Sequence, residues 1–235
     1  MYYLFLDEMY RDTSCGRAIV ITAWAARQAR VNDRFNVLRD LQKPGTAPIF
    51  LRIDSVLATL DGLALISKAD LDRSLFKPGE RDGTADVLAM ARPDTIWSVA
   101  VIFSVGYLIK LLMLDSYTVQ TVDVFFDPKS LKADHAKALE RVLRETLVRE
   151  ARRFSVQKDS NLLRHLHIRR ITPVDKPQKD AAPNKFQVGT WISHKLCTKS
   201  DEFFRTGSRD RIKTEDISEV VTRTVQQWEG KSFYE

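Results

Sequence analysis

The chain has 235 residues, of which 44% are hydrophobic and 29% are charged. This composition fits one large or two small soluble globular domains and excludes a fibrous or disordered chain. Its start reaches Asp7 and Glu8 after six residues and lacks a basic segment, so no signal peptide is expected. With only two cysteines, Cys15 and Cys197, the chain fits the reducing cytoplasm.

The positive charge is concentrated late in the chain. Residues 140–213 contain 18 Lys+Arg and 9 Asp+Glu, whereas residues 1–139 contain 17 of each, and the formal net charge is +6. A basic segment attracts polyanions, of which nucleic acid is the commonest in the cytoplasm. Composition alone supports equally a solvated helical face that carries mixed charges.

The first half of the chain predicts a β-hairpin followed by a helix. Residues 2–7 are apolar and aromatic, as in a buried strand that ends in a carboxylate, and Tyr3, Phe5 and Asp7 share one face. A second strand is predicted over 17–24 and a helix over 25–41. Residues 49–66 are apolar and fit either a strand or short helices.

The second half begins with its most hydrophobic window, 95–114, for which we predict a buried helix rather than a membrane span because Lys110 interrupts it. Residues 121–127 alternate cleanly and predict a second strand that ends in a carboxylate, Asp127. The other predicted elements are a basic amphipathic helix over 129–153, a strand over 166–172, a proline-bracketed linker over 173–183, and helices over 184–198 and 214–228.

The two strand-terminal carboxylates, Asp7 and Asp127, are the candidate catalytic and metal-binding residues. Parallel neighbouring strands would bring both to one edge of a sheet, where ligands of α/β proteins collect. Carboxylates held together there need a cation, and Mg²⁺ or Mn²⁺ assists phosphodiester hydrolysis. Alternatively, both aspartates simply terminate strands and begin turns.

The opening Phe5-Leu-Asp7-Glu8, the acidic strand ending at Asp127 and the helix motif Gln187-Val-Gly-Thr-Trp-Ile-Ser193 occur in order along the chain. Together they resemble domain-of-unknown-function family 3800, a bacterial and phage family. The resemblance implies a ribonuclease H-like α/β fold, a mixed sheet flanked by helices. The chain would then form a single domain over 1–235, with the C-terminal helices of 184–235 partly added to the core.

Two positions depart from the family pattern. The Ser-Gly that follows the family's Asp-Glu is replaced by Met9-Tyr10. Thr190 stands at the position where the family has the aspartate of its late helix. A hydroxyl is a poor ligand for a hard divalent cation. His194, one helical turn after Thr190, is a candidate replacement. Glu8 and Asp123, which shares a strand face with Asp127, are further candidate ligands.

The leading prediction is a nuclease that depends on Mg²⁺ or Mn²⁺ and acts on nucleic acid, and no organic cofactor site is predicted. The alternative is a catalytically degenerate subunit that binds nucleic acid or protein within a larger defence or mobile-element assembly. A protein partner or a homo-oligomer is compatible with both. The residues predicted to contact the nucleic-acid backbone are basic: Arg149, Arg152, Arg153, Lys158, Arg164, Arg169 and Arg170.

Overall fold

The structure, a computed structural model, describes residues 1–14, 16–72, 93–115, 121–127, 167–178 and 181–227. Within them the strands are β1 (Tyr2–Asp12), β2 (Gly16–Arg27), β3 (Leu63–Asp72), β4 (Thr121–Phe126), β5 (His167–Pro173) and β6 (Ile212–Asp216). The helices are α1 (Gln28–Asp33), α2 (Phe35–Asp40), α3 (Ile49–Thr59), α4 (Pro93–Asp115), α5 (Lys185–Thr198), α6 (Ser200–Thr206) and α7 (Ser218–Gln227).

The strands form one mixed sheet in the order β5-β4-β1-β2-β3-β6. The first three strands in the chain pair antiparallel as a meander. On one side β4 runs parallel to β1 and β5 runs parallel to β4, and on the other side β6 runs parallel to β3. This mixed sheet with flanking helices confirms the predicted α/β class and the predicted mixed sheet.

Alternation along the strands divides the core into two layers. Leu4 and Leu6 of β1 pack with the apolar side of α4 on one face of the sheet. Tyr3 and Phe5 pack on the other face, together with residues of α1, α2, α3 and α5. The predicted division of β4 is confirmed, because Val124 belongs to the first layer and Phe125 to the second.

Helix α4 lies in the core, as predicted. Val99, Val105 and Leu112 are all buried against the sheet. Among the described residues, no helix is both long and apolar enough to cross a membrane.

The C-terminal segment differs from its prediction. Thr214, Glu215 and Asp216 do not open a helix but belong to β6, because this segment pairs with β3 in the register Ile66↔Thr214. Helix α7 begins afterwards at Ser218, whose backbone N–H and hydroxyl both donate to the Asp216 carboxylate. The predicted helix over 25–41 also starts later, since its first residues continue β2. The predicted basic helix over 129–153 lies outside the described residues.

Candidate active site

Helix α5 is held unusually close to the sheet. Its first turn is capped by a reciprocal pair in which Asn184 accepts from the Phe186 and Gln187 N–H groups and Gln187 accepts from the Asn184 N–H. Further along, Gly189 faces the ring of Phe5. A Cβ atom at this position would lie 2.2 Å from the Phe5 ring, so only glycine permits this approach.

Two buried side chains of β2 bind the middle of α5. The Trp24 indole donates to the Gly189 carbonyl at 2.8 Å, and the Thr22 hydroxyl donates to the Ser193 carbonyl at 2.7 Å. The two carbonyls are four residues apart, one helical turn along the same side of α5. These bonds determine both the height and the rotation of α5 over the sheet, and hence the placement of His194.

Asp7 and His194 meet at the end of α5. The Asp7 side chain is 1% exposed, and its Oδ2 lies 2.7 Å from Nδ1 of His194, which is 44% exposed. Asp7 also lies directly opposite Thr22 in the β1/β2 pairing. A buried carboxylate needs a hydrogen-bonding or charged partner, and His194 supplies one while remaining in contact with solvent.

Asp127 follows the last paired residue of β4. The parallel register joins Leu6 to Phe126, so Asp7 and Asp127 occupy the next position of each strand. Neighbouring strands lie about 4.8 Å apart. Because side chains alternate along a strand, Asp7 belongs to the same face as Phe5, and Asp127 to the same face as Phe125. The topology therefore brings the two predicted carboxylates to one edge of the sheet, on the side covered by α5.

Glu8 and Thr190 are placed differently. Alternation along β1 puts Glu8 on the face of Leu6, opposite to Asp7. The buried Thr190 hydroxyl donates back to the Phe186 and Gln187 carbonyls, each at 3.2 Å. On α5, His194 rather than Thr190 contacts Asp7.

The Asp123 carboxylate is bound by two arginines. Its fully buried carboxylate accepts two hydrogen bonds from Arg169, at 2.8 and 2.5 Å, and one from Nε of Arg170 at 2.9 Å. Burial alone would raise the pKa of the Asp123 carboxyl, but the hydrogen bonds and charges of the two arginines outweigh it, and the pKa is lowered from its usual value. Asp123 is thus an ionised partner of two guanidinium groups.

Cys197 lies in α5 behind the Asp7 and His194 pair. Its Sγ is 3.6 Å from the Val20 carbonyl. Burial raises the pKa of the Cys197 thiol far above its usual value, and the carboxylates of Asp7 and Glu8 raise it further. The thiol therefore stays protonated and unreactive near neutral pH.

Most of the predicted backbone-binding residues fall outside the described part of the chain: Arg149, Arg152, Arg153, Lys158 and Arg164. Arg169 and Arg170 are described, and both are nearly half exposed. Sequence reasoning missed Thr22, Trp24 and Gly189. Gly189 did carry a signal, since glycine within a helix costs about 1 kcal/mol relative to alanine and usually indicates close packing.

Among the described residues, no three His, Cys, Asp or Glu side chains stand close enough to form a complete metal-binding cluster. Magnesium does not require one, because it is usually bound by one or two carboxylates together with water and substrate phosphates. The two carboxylates at the sheet edge, Asp7 and Asp127, are the number and type of donor that such a partial site would need.

Two ribonucleases are similar in structure at low identity. The ribonuclease H2 of Pyrococcus horikoshii OT3 has a TM-score of 0.43 and 11% sequence identity, covering 87% of this chain and 75% of its own. The second, Bst-RNase HIII in complex with Mn²⁺, has a TM-score of 0.39 and 12% identity, covering 87% of this chain. This chain spans 54% of the length of Bst-RNase HIII.

No protein-family profile matches the chain, and no curated protein matches it significantly. The resemblance to domain-of-unknown-function family 3800 therefore stays a prediction.

Proposed function

We propose that the protein is a divalent-metal-dependent hydrolase of nucleic-acid phosphodiester bonds, with its active site at Asp7, Asp127 and His194. The observation that carries this proposal is the contact between the buried Asp7 and the half-exposed His194, at a sheet edge that Asp127 shares. A buried carboxylate that orients a solvent-accessible imidazole is a recurrent arrangement at catalytic sites.

Asp7 and Asp127 would hold Mg²⁺ or Mn²⁺. When bound, either ion neutralises phosphate charge and lowers the pKa of water, which are the two needs of phosphodiester hydrolysis. Asp7 is well suited to this role because the sheet and α5 hold it rigidly, with Thr22 opposite it in β2. Asp127 lies where β4 ends and is partly exposed, so it can reach an incoming phosphate.

His194 would manage a proton. Its Nδ1 faces Oδ2 of Asp7, so the ring orientation is fixed by this contact. When Nδ1 carries the proton, the Nδ1–H group donates a hydrogen bond to Asp7. Nε2 is then an acceptor that can take a proton from water and later give it to a leaving oxygen. The exposure of the ring leaves this second nitrogen accessible to solvent.

The test is cleavage of labelled DNA and RNA strands in the presence of Mn²⁺ or Mg²⁺. We expect cleavage that EDTA abolishes, and that Asp7→Asn and Asp127→Asn each reduce by at least about a hundredfold. The matched control is Asp12→Asn, an exposed aspartate of the same strand β1 that pairs with Arg17. Equal activity in the wild type and Asp7→Asn would overturn the proposal.

A binding protein without catalysis is the second candidate function. It is favoured by Thr190, whose hydroxyl bonds to its own helix where the resemblance predicts a carboxylate. In that case the wild-type protein would bind nucleic acid or a protein partner and cleave no strand with either metal. The same cleavage assay, combined with a binding assay in EDTA, separates the two functions.

A further inference from the structure

A β-bulge brings two adjacent arginines to one carboxylate. The register between β4 and β5 joins Val122 to Ile168 and Asp123 to Arg170, which leaves Arg169 as an extra residue on β5. In a regular strand Arg169 and Arg170 would point to opposite faces. The bulge re-aims them, so both guanidinium groups reach Asp123.

This arrangement holds two guanidinium groups against one buried carboxylate and leaves both partly exposed. Asp123 is 0% exposed, while the side chains of Arg169 and Arg170 are 46% and 45% exposed. Arg170 shares the single negative charge of Asp123 with Arg169. In the described part of the chain, the side-chain hydrogen bond of Arg170 uses Nε, and its two terminal amino groups remain for an outside acceptor.

A third cation lies across an aromatic pair. The guanidinium of Arg170 lies 5.5 Å from the ring centre of Phe125, and Phe125 stacks on Phe186 at 4.3 Å. The ammonium of Lys185 lies 5.2 Å from the centre of the Phe186 ring and also binds the Asn32 side chain at 2.6 Å. These cation–π contacts attract both cations to the faces of the rings.

The carboxylate that binds Arg170 and the aspartate of the candidate active site lie along the same strand, β4, and its end. Asp123 and Asp127 are four positions apart along β4 and its end, a separation of about 13 Å at 3.3 Å per residue. A nucleic-acid strand that reaches Asp127 can therefore extend in the direction of β4 as far as Arg170, which binds Asp123.

We propose that Arg170 and Lys185 form a phosphate-binding subsite for the backbone of a nucleic-acid strand, and that Asp123 orients Arg170 within it. The proposal rests on the proposed function only for the identity of the ligand. It reassigns Asp123 from a candidate metal ligand to a positioning residue. Because the ligand group is the phosphodiester, binding at this subsite is independent of base sequence.

The experiment measures binding of two labelled single strands of equal length and different sequence, as DNA and as RNA, by fluorescence anisotropy in EDTA. Arg170→Ala is expected to weaken binding of every strand roughly tenfold, and to lower the slope of log affinity against log salt by about 0.7. Lys185→Ala is expected to act in the same direction, and Arg170→Lys to restore part of the affinity. The control is Arg223→Ala, an exposed arginine of α7, which packs against α4 and β3 in the other layer.

Asp123→Asn tests orientation separately. This change adds one positive charge, which by itself tightens binding to a polyanion. We expect weaker binding instead, because Arg170 loses the carboxylate that directs it. Tighter binding by Asp123→Asn would overturn the positioning role of Asp123.

The subsite and the proposed function can fail independently. Equal losses for Arg170→Ala and Arg223→Ala, or a wild-type protein that binds no strand at low salt, would overturn the subsite. Normal Mn²⁺-dependent cleavage with unchanged binding in Arg170→Ala would reject the subsite and keep the hydrolase. Loss of binding in Arg170→Ala, in a wild-type protein that cleaves nothing, would support the subsite and reject the hydrolase.

Discussion

The ring of Phe5 occupies the space that a side chain at Gly189 would need. This contact lets α5 lie directly on β1. Phe5 precedes Asp7 by two residues in β1, and Gly189 precedes His194 by five residues in α5. The close approach and the Asp7 to His194 contact are therefore two consequences of one packing arrangement.

Replacing Gly189 by alanine is expected to destabilise the protein. The new methyl group would overlap the Phe5 ring, and overpacking of this kind costs about 1–3 kcal/mol despite the better helix propensity of alanine. Urea unfolding measures the change. Gly45→Ala is the control, because the atoms nearest to its new methyl group belong to the end of the flexible Arg52 side chain, which can shift. A Gly189→Ala protein as stable as the wild type would contradict the contact.

Replacing Thr22 by valine removes the hydrogen bond to the Ser193 carbonyl while nearly keeping the side-chain volume. We expect a loss of about 1 kcal/mol in the free energy of unfolding, typical of one buried hydrogen bond. The control is Thr198→Val, in which an exposed hydroxyl of the same helix α5 is lost. Similar losses for both variants would show that the Thr22 bond does not hold α5.

The ion pairs of Asp123 predict a specific pH dependence. Because the pKa of Asp123 is lowered in the folded protein, its contribution to stability is present above its unfolded pKa of about 3.9 and is lost as the pH falls through the folded value. Asp123→Asn should therefore be less stable than the wild type by about 2 kcal/mol near neutral pH, with a difference that shrinks in acid. Denaturant unfolding at several pH values measures this. A difference that is constant down to the acid limit would contradict the assignment.

Cys197 is expected to resist thiol reagents while the protein is folded. Burial and the nearby carboxylates keep its thiol protonated, and the thiolate is the reactive form. The measurement uses Cys15→Ser, in which Cys197 is the remaining cysteine, and follows its reaction with a chromogenic disulfide. We expect slow labelling between neutral and mildly alkaline pH and fast labelling in denaturant. Rapid labelling of the folded variant would show that α5 detaches from the sheet.

The sequence allowed the strand positions of Asp7 and Asp127 and the division of β4 into two faces to be predicted, because strand alternation and strand ends are local properties. The site roles of Asp7, Asp127 and His194 stay predictions. It did not predict the Asp123 ion pairs, because a bulge at Arg169 depends on the pairing of β4 with β5. The pattern of Thr214 to Asp216 resembles a helix start, and only pairing with β3 makes it a strand.

The Asp7 to His194 contact joins residues that are 187 positions apart. Contacts between residues so far apart in the sequence require most of the chain to be in place before they form, and they slow folding. The NMR signals of the His194 imidazole would therefore report that folding of the chain is complete. A nascent chain that has not yet supplied α5 would therefore have Asp7 without its imidazole partner.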